Sequence, residues 1–174
     1  PTSRGSVLDG AGFAELINGL DDNGLLDGYS HLLTGYVGSP CLMQEVVKAV
    51  GRLREKNPGL VYVCDPVMGD NGKLYVKPEV ASMFRDRVVP LATIVTPNQF
   101  ELEQLTGLEV HSIEDAFRAM DALHALGPRT VIVSSLFLPG KDGAVVIAGS
   151  TLDEQEEGGS RQFCIEVPKL DGYY

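Results

Sequence analysis

Hydrophobic positions along this chain switch between two spacings. Phe13, Leu16, Ile17 and Leu20 recur three and four residues apart, predicting a helix that begins near Gly12 and breaks at Asp21-Asp22-Asn23-Gly24. Tyr29 to Leu33 reads instead as a short strand running into Thr34-Gly35-Tyr36. Ser39-Pro40 then offers an N-cap with proline at the first helical position. Leu42, Met43, Val46, Val47, Val50 and Leu53 draw the buried face of a long helix, and Lys48, Arg52, Arg54, Glu55 and Lys56 form its solvated side until Asn57-Pro58-Gly59 ends it. Leu60 to Cys64 is apolar without alternation, the pattern of a parallel strand covered on both faces. A helix over about 78 to 88 and a strand over 91 to 95 are expected next.

Thr96-Pro97-Asn98-Gln99-Phe100-Glu101 leads from that strand into a helical segment that closes at Thr106-Gly107. Ser112 with Asp115 fits a capping pattern ahead of Ala116, Phe117, Met120, Leu123 and Leu126, and Gly127-Pro128 stops that helix. Thr130 to Val133 is a predicted strand ending in Ser134-Ser135. Ala144 to Ala148, reached through the short connector Pro139-Gly140-Lys141-Asp142-Gly143, is expected antiparallel beside it. The acidic stretch Asp153 to Glu157 with Gly158-Gly159 reads as an exposed loop, and Phe163, Ile165 and Val167 alternate as an edge strand before the last residue, Tyr174. Residues 1 to 10 carry no periodicity and read as loop. Alternating strands and helices with right-handed crossovers predict a single α/β domain over residues 1–174, three-layered, with a mostly parallel central sheet and an antiparallel margin.

Composition narrows the functional classes. The net charge of −10 argues against nucleic acid or an anionic membrane surface as partner, because either would be repelled at long range. A single nucleotide remains compatible, since backbone N–H groups and a metal ion hold phosphates whatever the global charge. No apolar run approaches a membrane span. Cys41, Cys64 and Cys164 are odd in number and widely spaced, which disfavours a disulfide framework and points to a reducing compartment; cytoplasm is the expected location.

Candidate chemistry gathers at predicted strand ends, where open α/β sheets bind ligands. Asp65 and Asp70 lie on a tightly turned segment with Pro66, Gly69 and Gly72; two such carboxylates can hold Mg²⁺ or a monovalent cation, or can equally be a turn cap and a solvated loop acid. Thr96, Asn98 and Glu101 bring a hydroxyl, an amide and a carboxylate to a strand-to-helix junction, where Asn98 and Glu101 also make an ordinary capping pair. Ser134 and Ser135 add hydroxyls at a further strand end. His31, His111 and His124 lack metal-ligand spacing and read as solvated or packed, and Cys64 reads as an inert core thiol. Neither a Walker-type phosphate loop nor a dinucleotide fingerprint is present.

The ordered set Leu33-Thr34-Gly35-Tyr36, Val61-Tyr62-Val63-Cys64-Asp65-Pro66-Val67-Met68-Gly69-Asp70, Val88-Val89-Pro90-Leu91-Ala92 and Thr96-Pro97-Asn98-Gln99-Phe100-Glu101 resembles the pyridoxal kinases of the ribokinase-like superfamily. Hydroxymethylpyrimidine kinases share the DPVM and TPN segments but usually lack the Gly-Asp and Gln-Phe-Glu continuations. The resemblance implies ATP-dependent phosphorylation of the 5′-hydroxymethyl group of pyridoxal, pyridoxine and pyridoxamine, the vitamin B6 vitamers, in pyridoxal phosphate salvage by a homodimer. It places Asp65 near the ATP phosphates, Asn98 and Ser135 on ATP, and Glu101 on the Mg²⁺ side. Asp70, Thr96 and Ser134 fall on a K⁺ or Na⁺ ion, Tyr36 near the pyridine ring, and Leu170, Asp171 and Gly172 along the nucleotide. The family's Gly-Thr-Gly-Asp segment, whose Asp is the general base, does not occur in these residues, nor does its N-terminal substrate-contacting segment. That Asp is expected beyond Tyr174, so the resemblance assigns no catalytic residue within the chain. The domain is therefore expected to be incomplete at both ends, and this chain alone to be catalytically inactive. The alternatives are a hydroxymethylpyrimidine kinase of thiamine synthesis and a non-catalytic truncated isoform that binds nucleotide or a full-length subunit.

Overall fold

Local signals at helix starts decide where the helices of this chain begin. In the computed structural model, which describes residues 5–153, 155–156 and 159–169, Asp9 Oδ1 accepts from Gly12 N at 2.8 Å and starts Gly10–Asp22 (α1) a little earlier than the apolar spacing implies. His31–Thr34 (β1) follows, and Ser39 caps Pro40–Lys56 (α2) by accepting from Leu42 N. Val61–Cys64 (β2) leads into a small hairpin of Gly69–Asp70 (β3) and Lys73–Leu74 (β4). The hairpin turns through Asn71 and Gly72, both at positive φ, where the sequence pattern predicts only loop.

Pro78–Met83 (α3) continues through a π turn at Phe84–Val88 and a 3-10 turn at Val89–Leu91. These turns, with Pro90 lacking an N–H for a ladder, shorten the strand expected over 91–95 to Ile94–Val95 (β5). Gln99–Thr106 (α4) ends at Gly107 in the left-handed conformation, and Ile113–His124 (α5) starts at Ser112, whose side chain accepts from Asp115 N. Thr130–Leu136 (β6), Ala144–Leu152 (β7) and Ser160–Pro168 (β8) complete the chain order. Part of the expected acidic loop, at residues 154, 157 and 158, lies outside the described residues, as do residues 170–174.

The main sheet runs β1-β2-β5-β6-β7-β8. Pairs β1–β2, β2–β5 and β5–β6 are parallel, while β6–β7 and β7–β8 are antiparallel, giving the mixed α/β sheet that the alternating pattern predicts. Strand β6 extends past its expected end at Val133, and its register with β7 breaks between Val133 and Leu136. Ser134 and Ser135 thus sit on a bulge within the strand rather than beyond it, and bulges re-aim side chains locally.

One face of this sheet is the core. Tyr62, Cys64, Val95, Val131, Val133 and Ala148 are buried on it against Met43, Val50, Phe84, Leu102, Met120 and Leu123 from the helical side. By strand alternation, Leu33, Val63, Ile94, Ile132, Ile147 and Ile165 point the other way. Among the described residues no helix packs there: Val63, Ile94, Ile132 and Ile147 are only half-buried, and Ile165 is 52% exposed. The described residues therefore cover β2 on one face, where its apolar run implied two. The accessible surface, 10430 Å², exceeds the about 8,300 Å² of a compact monomer of this mass.

Two polar ties secure the layers. Arg52 and Lys56 of α2 pair with Asp21 at the end of α1, and Lys56 also with Asp27. Buried His124 bridges α5 to β7: Nδ1 donates to Pro128 O at 2.8 Å, and Nε2 hydrogen-bonds with the Ser150 hydroxyl 2.9 Å away. His124→Leu leaves that carbonyl and that hydroxyl unpartnered, and is expected to cost about 1–3 kcal/mol, read as a lower urea midpoint; an unchanged midpoint would dismiss the tie. The bare sheet face predicts concentration-dependent association in sedimentation velocity, reduced by Ile165→Lys. A wild-type chain that stays monomeric throughout would count against it.

Candidate functional site

The parallel strands β1, β2 and β5 end side by side, level with the bulge in β6, and the residues at this level bond back to the neighbouring segment. Asp65 N donates to Thr34 O at 2.9 Å, Thr96 N to Cys64 O at 3.0 Å, and Ser134 N to Pro97 O at 2.9 Å. A row of Thr34, Asp65, Thr96 and Ser134 results, with the Thr34 hydroxyl 2.8 Å from the buried Tyr62 hydroxyl.

The start of α4 is the junction of the row. Asn98 Oδ1 accepts from Glu101 N and Glu101 Oε2 accepts from Asn98 N, each at 2.9 Å, so the expected capping pair forms. Both side chains also reach across to the Asp65–Asp70 segment. Asn98 Nδ2 donates to Gly69 O at 2.8 Å, and Glu101 Oε1 accepts from Met68 N at 2.9 Å with Gly69 N farther off at 3.5 Å. Glycine is required in that embrace, because a Cβ at Gly69 would collide with Lys73 O and fall 2.6 Å from the Phe100 ring. Gln99 faces the opposite neighbour: its Oε1 accepts from Phe137 N and its Nε2 donates to Val110 O, both at 2.8 Å. Sequence reasoning assigns Gln99 no role of its own and misses the hairpin, although Asn71-Gly72 between short extended segments is its signal.

Charge at this end is negative and partly desolvated. Burial pushes the Asp65 carboxyl above its ordinary value, opposed by the Thr96 hydroxyl beside it. Burial likewise raises Glu101, opposed by the N–H groups of Asn98, Met68 and Gly69, with the nearby Asp65 charge adding to the rise. Burial pushes the Cys64 thiol up to about 12, consistent with an inert core thiol.

The remaining candidates are spread around the row. Ser134 is exposed and Ser135 half-buried on the β6 bulge. Asp70 sits at the hairpin, where its carboxylate accepts from Asn71 N and Nδ2, at the edge of a cleft of about 230 Å³ shared with Gln99, Phe100 and Phe137. Tyr36, past the end of β1, is 62% exposed with its ring against Gly38. Leu170, Asp171 and Gly172 lie outside the described residues. So does Tyr174, beyond which the general-base Asp is expected, and the described residues therefore present the strand-end row without a base assigned to it.

The donor set bears on the cations that the resemblance implies. Among the described residues no three His, Cys, Asp or Glu side chains converge on one point, so Mg²⁺ here would draw most of its octahedral shell from phosphate and water. Asp65, half-buried beside Thr96, fits such a partial shell. Glu101 fits direct coordination poorly: it is 4% exposed, and both of its oxygens accept backbone N–H groups.

Known proteins share both the sequence and the fold. The model of the phosphomethylpyrimidine kinase family matches residues 34–157. The chain is 46% identical to a pyridoxal kinase of Arabidopsis thaliana over all of this chain and 55% of that protein, and 38% identical to one of Homo sapiens over 98% of this chain and 57% of that protein. Among solved structures, a Leishmania donovani pyridoxal kinase in complex with ADP and pyridoxamine superimposes with a TM-score of 0.90 at 30% identity, covering all of this chain and 61% of the other. A pyridoxal kinase from Entamoeba histolytica gives 0.88 at 32% identity, over all of this chain and 60% of the other. The chain thus spans little more than half the length of the relatives it matches.

The raised Glu101 carboxyl has a signature in stability. A folded value above the ordinary 4.5 means that its contribution is fully present below 4.5 and is lost as pH rises through the folded value. Glu101→Gln removes that titration. Urea midpoints of the wild type and the variant, measured as a series upward from pH 4, should therefore change their separation across this window, whereas parallel profiles would remove the assignment.

Proposed function

The chain belongs to the phosphomethylpyrimidine kinase family, and from that we propose that it serves as a pyridoxal kinase, transferring the γ-phosphoryl group of ATP to the 5′-hydroxymethyl group of pyridoxal, pyridoxine or pyridoxamine in pyridoxal phosphate salvage. One observation carries the reading. The Asp65–Asp70 and Thr96–Glu101 segments, which bear the resemblance, are bonded to each other at the carboxyl ends of the parallel strands, where an open α/β sheet binds ligands. Relatives solved with ADP, and one with AMP-PNP and PL, support nucleotide binding as part of the reading.

In this reading Asp65 lies by the phosphates, and Asn98 and Ser135 contact ATP. Asp70, Thr96 and Ser134 hold the monovalent cation, K⁺ or Na⁺, and Tyr36 borders the vitamer ring. Leu170, Asp171 and Gly172 flank the nucleotide, and the general base falls beyond Tyr174. Glu101 acts on Mg²⁺ through its charge and through the loop it holds rather than by direct coordination. Mg²⁺, when bound, supplies charge neutralisation on the transferring phosphoryl group. The protein residues supply placement of the reacting groups. A cytoplasmic homodimer is part of the same proposal.

The family description favours one second reading, a kinase for a hydroxymethylpyrimidine. Incubating the protein with ATP and each alcohol in turn separates the two, since a preference for the pyrimidine would replace the vitamer assignment. The 174 residues alone are expected to bind Mg-ATP in calorimetry without turnover, because the Gly-Thr-Gly-Asp base segment is not among them. Ser135→Ala should weaken that binding about three- to tenfold, as expected for one lost hydrogen bond. Absence of ATP binding, together with no phosphorylation of any vitamer by the full-length protein, would sink the proposal.

A further inference from the structure

We infer that Gln99 is a positioning residue of this site, one that sets the serine hydroxyls of the β6 bulge against the start of α4; the inference rests on the nucleotide reading above. Strand β5 stops at Val95, whereas β6 runs on to Leu136. The last residues of β6 therefore have no strand neighbour on the β5 side. Their pairing with β7 is also interrupted between Val133 and Leu136, so the segment carrying Ser134 and Ser135 is poorly anchored by the ladder itself.

Two bonds from the Thr96–Glu101 segment take the place of the missing neighbour. Pro97 O accepts from Ser134 N at 2.9 Å, and Gln99 Oε1 accepts from Phe137 N at 2.8 Å, so the serines are held between a backbone tie and a side-chain tie. The far end of the same amide is also fixed. Gln99 Nε2 donates to Val110 O at 2.8 Å in the connection between α4 and α5, and Val110 N in turn donates to Glu103 Oε1.

Such an amide has one permitted orientation, oxygen toward Phe137 N–H and nitrogen toward the Val110 carbonyl. Glutamate would set a carboxylate against that carbonyl, and asparagine is shorter by a methylene. On the opposite side Asn98 and Glu101 hold Gly69 and Met68. The first turn of α4 thereby fixes the spacing between the Asp65–Asp70 loop and the serine bulge. Gln99 does so without being one of the groups assigned to the nucleotide.

The test is calorimetric titration of the 174-residue chain with Mg-ATP, using Gln99→Ala and Gln99→Glu in the wild type and Gln99→Ala in a Ser134→Ala/Ser135→Ala background. Positioning predicts an about three- to tenfold loss of affinity from either Gln99 change in the wild type, and no further loss from Gln99→Ala once the serines are gone. Equal losses in the two backgrounds, or no loss, overturn it. Backbone amide exchange without ligand supplies the second readout: Gln99→Ala should release Phe137 N–H while leaving Val133 N–H protected. An unchanged Phe137 overturns the tie. If the wild-type chain binds no ATP, the positioning role falls, the full-length phosphorylation assay decides the nucleotide reading separately, and the exchange result shows whether the tie itself exists.

Discussion

A buried carboxylate holds this site together. Glu101 is almost fully enclosed, and an ionised group there is tolerated only because backbone N–H groups of Asn98 and Met68 point at its oxygens. Those bonds do more than satisfy the acid. Met68 belongs to the loop leaving β2 and Asn98 to the turn leaving β5, so one side chain ties successive strand ends at a fixed distance. Replacing the carboxylate by a group that cannot accept strands buried N–H donors on two loops at once, and such donors cost about 1–3 kcal/mol each when unpartnered. The desolvation that raises its pKa is the price of that tie.

Features set by neighbouring residues were legible in the sequence. Ser39, Ser112 and Asn98 cap helices as their spacing implies, and Gly107 ends α4 in the left-handed conformation that glycine adopts without strain. The bulge at Ser134-Ser135 was not legible, because it reflects how β6 pairs with β7 while β5 stops short, a property of three strands distant in sequence. Gln99 escaped for a similar reason, since nothing local announces that an exposed-looking amide will meet Phe137 and Val110. The Asn71-Gly72 turn is different, as its signal was present but the flanking segments are too short to look like strands.

The apolar run at Leu60 to Cys64 shows where pattern and structure part. Parallel strands carry apolar residues on both faces because crossover helices normally cover both. Here the described helices gather on the Tyr62 and Cys64 side, leaving Val63, Ile94, Ile132 and Ile147 half-buried on the other. The sequence pattern records the environment such a sheet is built for. It does not record which polypeptide supplies it, and the longer relatives have further length with which to do so.

Charge supplies the last constraint. ATP is polyanionic, the chain carries a net charge of −10, and the strand-end row contributes Asp65 with Glu101 close behind it. Among the described residues neither carboxylate has a lysine, arginine or histidine ion-pair partner. An anion could approach this row only if cations came with it or the helix N-terminus outweighed the acids. The dipole alone is worth about 0.3–1 kcal/mol at an exposed terminus, too little to offset two carboxylates in a partly desolvated setting. The same acids that repel a bare phosphate attract a metal ion, and the metal then presents a net positive face to phosphate oxygens. Under the proposed kinase reading, a site of this composition would therefore favour a metal–nucleotide complex over the bare nucleotide, with the Asp65–Asp70 segment held beside the α4 start.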